Sequence, residues 1–286
     1  MSREVWKLLD AGRWLAEGAD GQVLTACPPN AAQTMLVDLA RRTPLRRGIF
    51  RATLSRLAFA LGGGKPIDVG FRDAVFRLEG GRNLIEYGIL LNEAYNQQDI
   101  DFLEEALSPG GVIVDIGCNI GLYSLPLAKT AGPQGHCISI DANPMMTGRL
   151  LRNAVLSGLD NITAFACAVS DRDGAGSLTV RKNDDAIVAL VENDDGPIPV
   201  RTLMSVLSEA SVDHIDVLKI DIEGHEDKAL VPFLDSAPRA LLPRRIVIEH
   251  PEQGRDYEGC SAAFDRHGYQ LMGRSRNNSL YELRAV

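Results

Sequence analysis

The sequence predicts an α/β protein built on an open, mostly parallel sheet with helices on both faces. Three observations carry that prediction. Strand-like apolar runs alternate with helical stretches between residues 112 and 249. The first of these strands runs straight into a glycine-containing turn. Two later strands end in titratable residues, as strand ends bordering a ligand crevice do.

Residues 1–66 read as a helical extension, with apolar positions at Val5, Leu8 and Leu9, then Met35, Leu36, Leu39 and Ala40 behind a cap at Asn30. Thr43-Pro44 reads as the cap and first-turn proline of a further helix, and Gly62 to Pro66 as a flexible joint. The joint is no phosphate loop, because Phe59 and Pro66 stand where such a loop needs Gly and Ser or Thr. Residues 67–286 form the second unit. It opens with a hairpin over Val69 to Leu78 and a helix over Leu84 to Leu91. Strands follow at Val112 to Ile116, Cys137 to Asp141, Ile162 to Val169, Ile215 to Ile220 and Arg245 to Glu249, with helices at Leu122 to Lys129 and Met145 to Leu156. An acid-rich insertion with Asp184-Asp185 and Asp194-Asp195-Gly196-Pro197 reads as a hairpin ahead of a helix over Thr202 to Ala210. Tyr269 to Val286 reads as a closing hairpin around Asn277-Asn278-Ser279.

Composition narrows the function classes. Among 286 residues, Lys+Arg 30 against Asp+Glu 38 gives a net charge of −8, which opposes a global attraction to nucleic acid or anionic membrane. The five cysteines are dispersed, with no C-x-x-C pair, and several sit in apolar runs as small hydrophobes. With charges throughout the first 15 residues and no run of transmembrane length, a cytoplasmic protein is expected. The basic stretch from Arg41 to Arg56 reads as a solvated helix face, the alternative being a dock for an anionic carrier; without interleaved aromatics, nucleic acid is not an expected partner. Apolar helical faces near the start leave a homodimer open.

The chemistry concentrates at three strand ends. Val112 to Gly121 is an apolar strand, a glycine turn and a helix start, in outline a cofactor-binding first loop. Its Gly117-x-Asn119-x-Gly121 pattern lacks the glycines of a dinucleotide fingerprint, and Asp115 sets negative charge beside the loop. Asp141 ends the next strand, where an acid grips ribose hydroxyls. Together these favour S-adenosylmethionine over NAD, the plainer reading being that both acids only cap helices. The third end is Lys219 to Glu226, in which Asp221, Glu223, His225 and Glu226 exceed the needs of helix capping, and the strand through Ile248 likewise closes on Glu249 and His250.

These residues carry a resemblance. Val114 to Gly121, Asp141-Ala142-Asn143-Pro144, the Lys219 to Glu226 block and the Glu249 strand end resemble the FkbM-type family of S-adenosylmethionine-dependent methyltransferases, over roughly residues 85 to 286. Cys118 stands where the family often has Ala. The resemblance implies a Rossmann-like class I methyltransferase fold, with a seven-stranded sheet whose one antiparallel strand comes from the final hairpin. It further implies that Gly117, Asn119 and Gly121 line the methionine part of the cofactor, that Asp141 binds the ribose with Asn143 alongside, and that Ala168 and Val169 border adenine. The acceptor it implies is a hydroxyl of a sugar, glycolipid or secondary metabolite.

A hydroxyl needs a base or a metal to become a nucleophile. His225 is the expected base, oriented by Glu226 or Glu223, unless it is an inert first-turn histidine. A Mg²⁺ ion between Asp221 and Glu249, with His250 nearby, is the second expectation. The alternatives are a scaffold that binds S-adenosylmethionine without turnover and, against the first-loop pattern, an NAD-dependent oxidoreductase.

Overall fold

The computed structural model describes residues 6–9, 13–16, 25–44, 50–80, 83–180, 188–193, 195–251 and 255–284. The chain begins with strands β1 (Trp6–Leu9) and β2 (Arg13–Ala16), helices α1 (Ala31–Arg41) and α2 (Phe50–Leu61), and the hairpin β3 (Ile67–Phe71) and β4 (Ala74–Leu78). Helices α3 (Leu84–Leu91) and α4 (Gln97–Glu104) lead into β5 (Val112–Ile116), α5 (Ser124–Ala131), β6 (His136–Asp141), α6 (Pro144–Leu156) and β7 (Ile162–Ala166). An insertion holds β8 (Ala168–Val169), β9 (Gly174–Val180), β10 (Val188–Glu192) and β11 (Ile198–Arg201). It is followed by α7 (Leu203–Glu209), β12 (Val217–Ile220), α8 (Glu226–Ser236), β13 (Arg245–Glu249), α9 (Glu258–His267), β14 (Tyr269–Arg274) and β15 (Asn278–Leu283).

The main sheet has the order β1-β2-β7-β6-β5-β12-β13-β15-β14. From β7 to β13 every pairing is parallel, and β15 runs antiparallel to β13. That is the expected mostly parallel seven-stranded class I methyltransferase sheet, extended by two strands at its β7 edge. Helical spacing in the first residues had predicted a helix there. Instead β1 and β2 form an antiparallel pair, and β2 adds antiparallel to β7. Four-residue segments are too short for periodicity to separate strand from helix, and a distant partner strand decided the outcome.

All five residues of β5 are buried, as a central strand covered on both sides requires. Alternation sends Ile113, Val217 and Val247 to a core shared with α3 to α6, and Val114, Leu218 and Ile246 to a core shared with α7 to α9. Caps fix where the helices begin: Asn30 and Gln33 make a reciprocal capping box at α1, Asn143 caps α6 ahead of Pro144, and Thr202 caps α7.

The insertion is more than the expected hairpin. Its strands form a four-stranded sheet of order β10-β9-β11-β8. The anticipated third strand therefore divides at Cys167: β7 stays in the main sheet, and Ala168 and Val169 pair with β11. Asp184, Asp185, Asp194 and the basic pair Arg46-Arg47 lie outside the described residues. Arg41 is engaged by Glu93 at 2.8 Å. Among the described residues no helix is long and apolar enough to cross a membrane.

Candidate active site

Strand order reverses between β5 and β12, and a crevice opens beyond the carboxyl ends of these strands, as it must in an open α/β sheet. A cleft of about 250 Å³ occupies it. Gly117, Asn119, Asp141, Asn143, Ala168, Val169, Asp221, Glu223, His225 and Glu249 all line this cleft, so most of the residues expected from sequence come together.

The first loop is clamped from two sides. Gly117 has φ +77°, and a Cβ there would lie 1.9 Å from the Asp221 carbonyl oxygen, so only glycine lets the turn lie against the end of β12. From below, the Lys219 ammonium donates to the Gly117 carbonyl at 3.0 Å and lies 3.6 Å from Asp221 and 3.9 Å from Asp115. Lys219 is almost fully buried; Asp221 and Asp115 hold its charge against the loss of water that burial imposes. Sequence reasoning gave this lysine no role, although a lone cation in an apolar strand between two acids was the available signal.

Asp141 joins the first and second loops. Its two carboxylate oxygens accept from the Asn119 and Asn143 backbone N–H groups, each at 2.8 Å. Burial outweighs these donors and pushes its pKa up to about 6. Asn119 sits at φ +48° with its side-chain oxygen accepting from Asn83 and from the Ile120 N–H, both at 2.9 Å. Asn143 spends its side-chain oxygen on the Met145 N–H at 3.0 Å.

Four expected residues stand back from the cleft. Asp115 is fully buried and accepts from the Ser124 N–H and hydroxyl at 3.1 and 2.5 Å, so it braces the loop from beneath. Gly121 makes room for packing rather than for a ligand, since a Cβ there would meet Leu125 Cδ1 at 2.1 Å. Glu226 is buried; its oxygens accept from the Ile222 and Gly224 N–H groups at 2.8 and 2.9 Å, holding the turn before α8. His250 is buried, with a side-chain Nε2 that has no hydrogen-bond partner among the described residues.

The carboxylate expected to orient His225 is also a different one. His225 Nε2 lies 3.2 Å from Glu192 Oε1 and 3.1 Å from Ser170 Oγ, residues of the insertion. Asp221, Glu223 and Glu249 place oxygens within 4.8 Å of one another, spacing that could hold a cation, and His250 does not join them. Burial and the neighbouring charges of Asp221 and Glu223 raise the Glu249 carboxyl far above the ordinary range. Leu178 and Leu190, a cross-strand pair of the insertion sheet, and Leu84, Ile85 and Asn277 also line the cleft; sequence reasoning singled out none of them for the site.

Comparison with known proteins gives this geometry its context. The 23S rRNA (uracil(1939)-C(5))-methyltransferase RlmD of Shewanella sediminis is 34% identical over 83 residues, covering 29% of this chain and only 18% of that protein. The 2-O-methyltransferase NoeI of Sinorhizobium fredii is 28% identical over 184 residues, covering 57% of this chain and 71% of that protein. The crystal structure of M. jannaschii TYW2 in complex with AdoMet superimposes with a TM-score of 0.44 and 16% identity, covering 77% of this chain and 88% of that one. Residues 115–271, more than half of the chain, match the family described as the methyltransferase FkbM domain. They run from the end of β5 into β14 and enclose nearly the whole cleft, and the chain belongs to the FkbM family of methyltransferases.

Proposed function

We propose that this protein is an S-adenosylmethionine-dependent O-methyltransferase acting on a hydroxyl of a sugar, glycolipid or secondary metabolite. The observation that carries the reading is a single cleft whose lining falls into two chemically different halves: Asp141, Asn143, Ala168 and Val169, and then the titratable Asp221, Glu223, His225 and Glu249.

The first half suits the donor. With one lone pair of each Asp141 oxygen committed to a backbone N–H, the others remain as acceptors for two vicinal ribose hydroxyls. Ile140, Met146, Ala168 and Val169 supply apolar walls for a purine, and Gly117 and Asn119 border the amino-acid end. The acids of the second half set a negative potential suited to a cationic ligand. When bound, S-adenosylmethionine supplies a methyl group on a positively charged sulfur. The protein's share is alignment and proton removal, since a sugar hydroxyl is a weak nucleophile at neutral pH. In this reading His225 takes that proton, and the Asp221 and Glu223 oxygens accept from the acceptor's neighbouring hydroxyls.

NoeI, by its name a 2-O-methyltransferase, supports oxygen as the target atom. RlmD acts on ribosomal RNA, but a cleft lined by the four carboxyl groups of Asp141, Asp221, Glu223 and Glu249, in a chain of net charge −8, is a poor host for a phosphate backbone. The test is transfer of label from methyl-tritiated S-adenosylmethionine to a panel of sugars, glycolipids, hydroxylated metabolites and ribosomal RNA. Label in an alkali-stable ether supports the proposal. Label in RNA alone would replace it, and binding without transfer to any of them would point to a scaffold. A chelation arm addresses the carboxylate cluster: loss restored by Mg²⁺ assigns a divalent ion to Asp221, Glu223 and Glu249, and unchanged turnover removes a metal from the reading.

A further inference from the structure

The imidazole of His225 is held by residues outside the Lys219 to Glu226 block. Glu192, the last residue of β10, lies 33 positions away in sequence and is only 14% exposed. Its Oε1 accepts from Ser170 Oγ at 2.8 Å and from Lys228 Nζ at 3.1 Å, and its Oε2 accepts from Arg172 at 2.7 Å. The Ser170 and Lys228 hydrogen bonds pull the Glu192 carboxyl down to about 2, which keeps it ionised. Ser170 is buried and donates its own proton to Glu192, so its oxygen is left to accept. Both atoms facing His225 Nε2 are therefore acceptors. A ring nitrogen between two acceptors carries a proton, and in the neutral imidazole the other nitrogen is then bare. That other nitrogen, Nδ1, has no hydrogen-bond partner among the described residues, and His225 lines the cleft.

We infer that Glu192 is a positioning residue for His225: it fixes the imidazole with its proton on Nε2, which makes Nδ1 the atom that receives the acceptor's proton. The inference rests on the reading of His225 as the base and assigns that role a tautomer, an atom and a partner. In the step, the acceptor oxygen bonds to the methyl carbon, the carbon–sulfur bonding pair stays with sulfur as a neutral thioether, and the hydroxyl proton ends on Nδ1. The positive charge lost from sulfur reappears on the imidazolium, whose Nε2–H donates to the Glu192 carboxylate. An ionised partner at that place stabilises the charge as it forms and keeps the ring from rotating. The insertion sheet thus covers the cleft with Leu178 and Leu190 and delivers through β10 the group that orients the base.

The experiment uses the full chain labelled with ¹⁵N-histidine, the His225 signals being assigned by their loss in His225→Gln. Long-range proton–nitrogen correlation without cofactor should show a bare Nδ1 and a protonated Nε2 for His225. Glu192→Ala should move these shifts toward a mixture of the two tautomers, and Glu192→Gln, which keeps an acceptor oxygen, should restore them. With an acceptor from the panel, Glu192→Ala should lower kcat by about 10- to 100-fold with the S-adenosylmethionine dissociation constant within twofold of wild type. A proton on Nδ1 in the wild-type protein overturns the inference. So does a Glu192→Ala variant whose tautomer and kcat are unchanged. Should that variant fail to fold, the wild-type and Glu192→Gln spectra still decide the question. Failure of the methyltransferase reading looks different: the wild-type protein would show the expected tautomer and bind no S-adenosylmethionine.

Discussion

Replacing Gly117 by Ala should damage the fold far more than the same change at Gly158, and the structure states why. Both glycines have left-handed backbones, φ +77° and +64°. An L side chain in that region costs about 1–2 kcal/mol. At Gly158 nothing lies within 4 Å of the added methyl, so that cost is the whole effect. At Gly117 the methyl would lie 1.9 Å from the Asp221 carbonyl oxygen, which is backbone and cannot turn aside. Overpacking of this kind adds about 1–3 kcal/mol, so Gly117→Ala should destabilise by roughly 2–5 kcal/mol in all. At about 2–4 °C per kcal/mol for a chain near this size, the extra ~1–3 kcal/mol should put its thermal midpoint roughly 2–12 °C below that of Gly158→Ala. Differential scanning calorimetry of the two variants under one buffer measures this. Equal midpoints would refute the close contact between the first loop and the end of β12, and with it the clamped site.

Three further outcomes follow from the site. Lys219→Met should lose about 3–5 kcal/mol in urea unfolding, because Asp115 then remains buried without its cation; Asp115→Asn in the same chain should recover part of that loss. Asp141 gives a pH signature. Its folded pKa of about 6 lies above its ordinary value of 3.8, so the folded state holds this proton more tightly than the unfolded chain does. Its contribution is full below about pH 4 and is lost as pH rises through about 6, which makes Asp141→Asn gain on wild type by about 2–3 kcal/mol across that window and level off above it; urea unfolding at a series of pH values measures the difference, and a flat one would refute the burial of this carboxylate. His225→Gln should lower kcat by roughly 10²- to 10⁴-fold in the tritium-transfer assay while calorimetry shows S-adenosylmethionine binding unchanged.

Where strands are buried on both faces the sequence was legible, because a run such as Val112 to Ile116, apolar but for Asp115, admits few other readings. Asp141, Asp221 and Glu249 were readable for a related reason: each closes a mostly apolar strand, broken only by Ser139 in the first and Lys219 in the second. The expected charge of Asp115 beside the loop is spent on Ser124, and Gly121, expected against a ligand, packs on Leu125, because an acid near a strand end or a turn glycine looks the same in sequence whether it faces a ligand, a serine hydroxyl or a leucine. Glu192 could not be found at all. Its meeting with His225 depends on the register of β10 against β9 and on the chain changing sheets at Cys167, and no local pattern encodes either.

The central claim is that the cleft holds S-adenosylmethionine through Asp141. Isothermal titration of the purified protein with S-adenosylmethionine, S-adenosylhomocysteine and NAD, with Asp141→Ala alongside, tests it most directly. The account predicts binding of both adenosyl compounds and not of NAD, weakened roughly 10- to 100-fold in Asp141→Ala as charge-assisted hydrogen bonds worth about 1.5–3 kcal/mol are lost. Binding of NAD alone, or adenosyl affinity that is untouched in the folded variant, would contradict it.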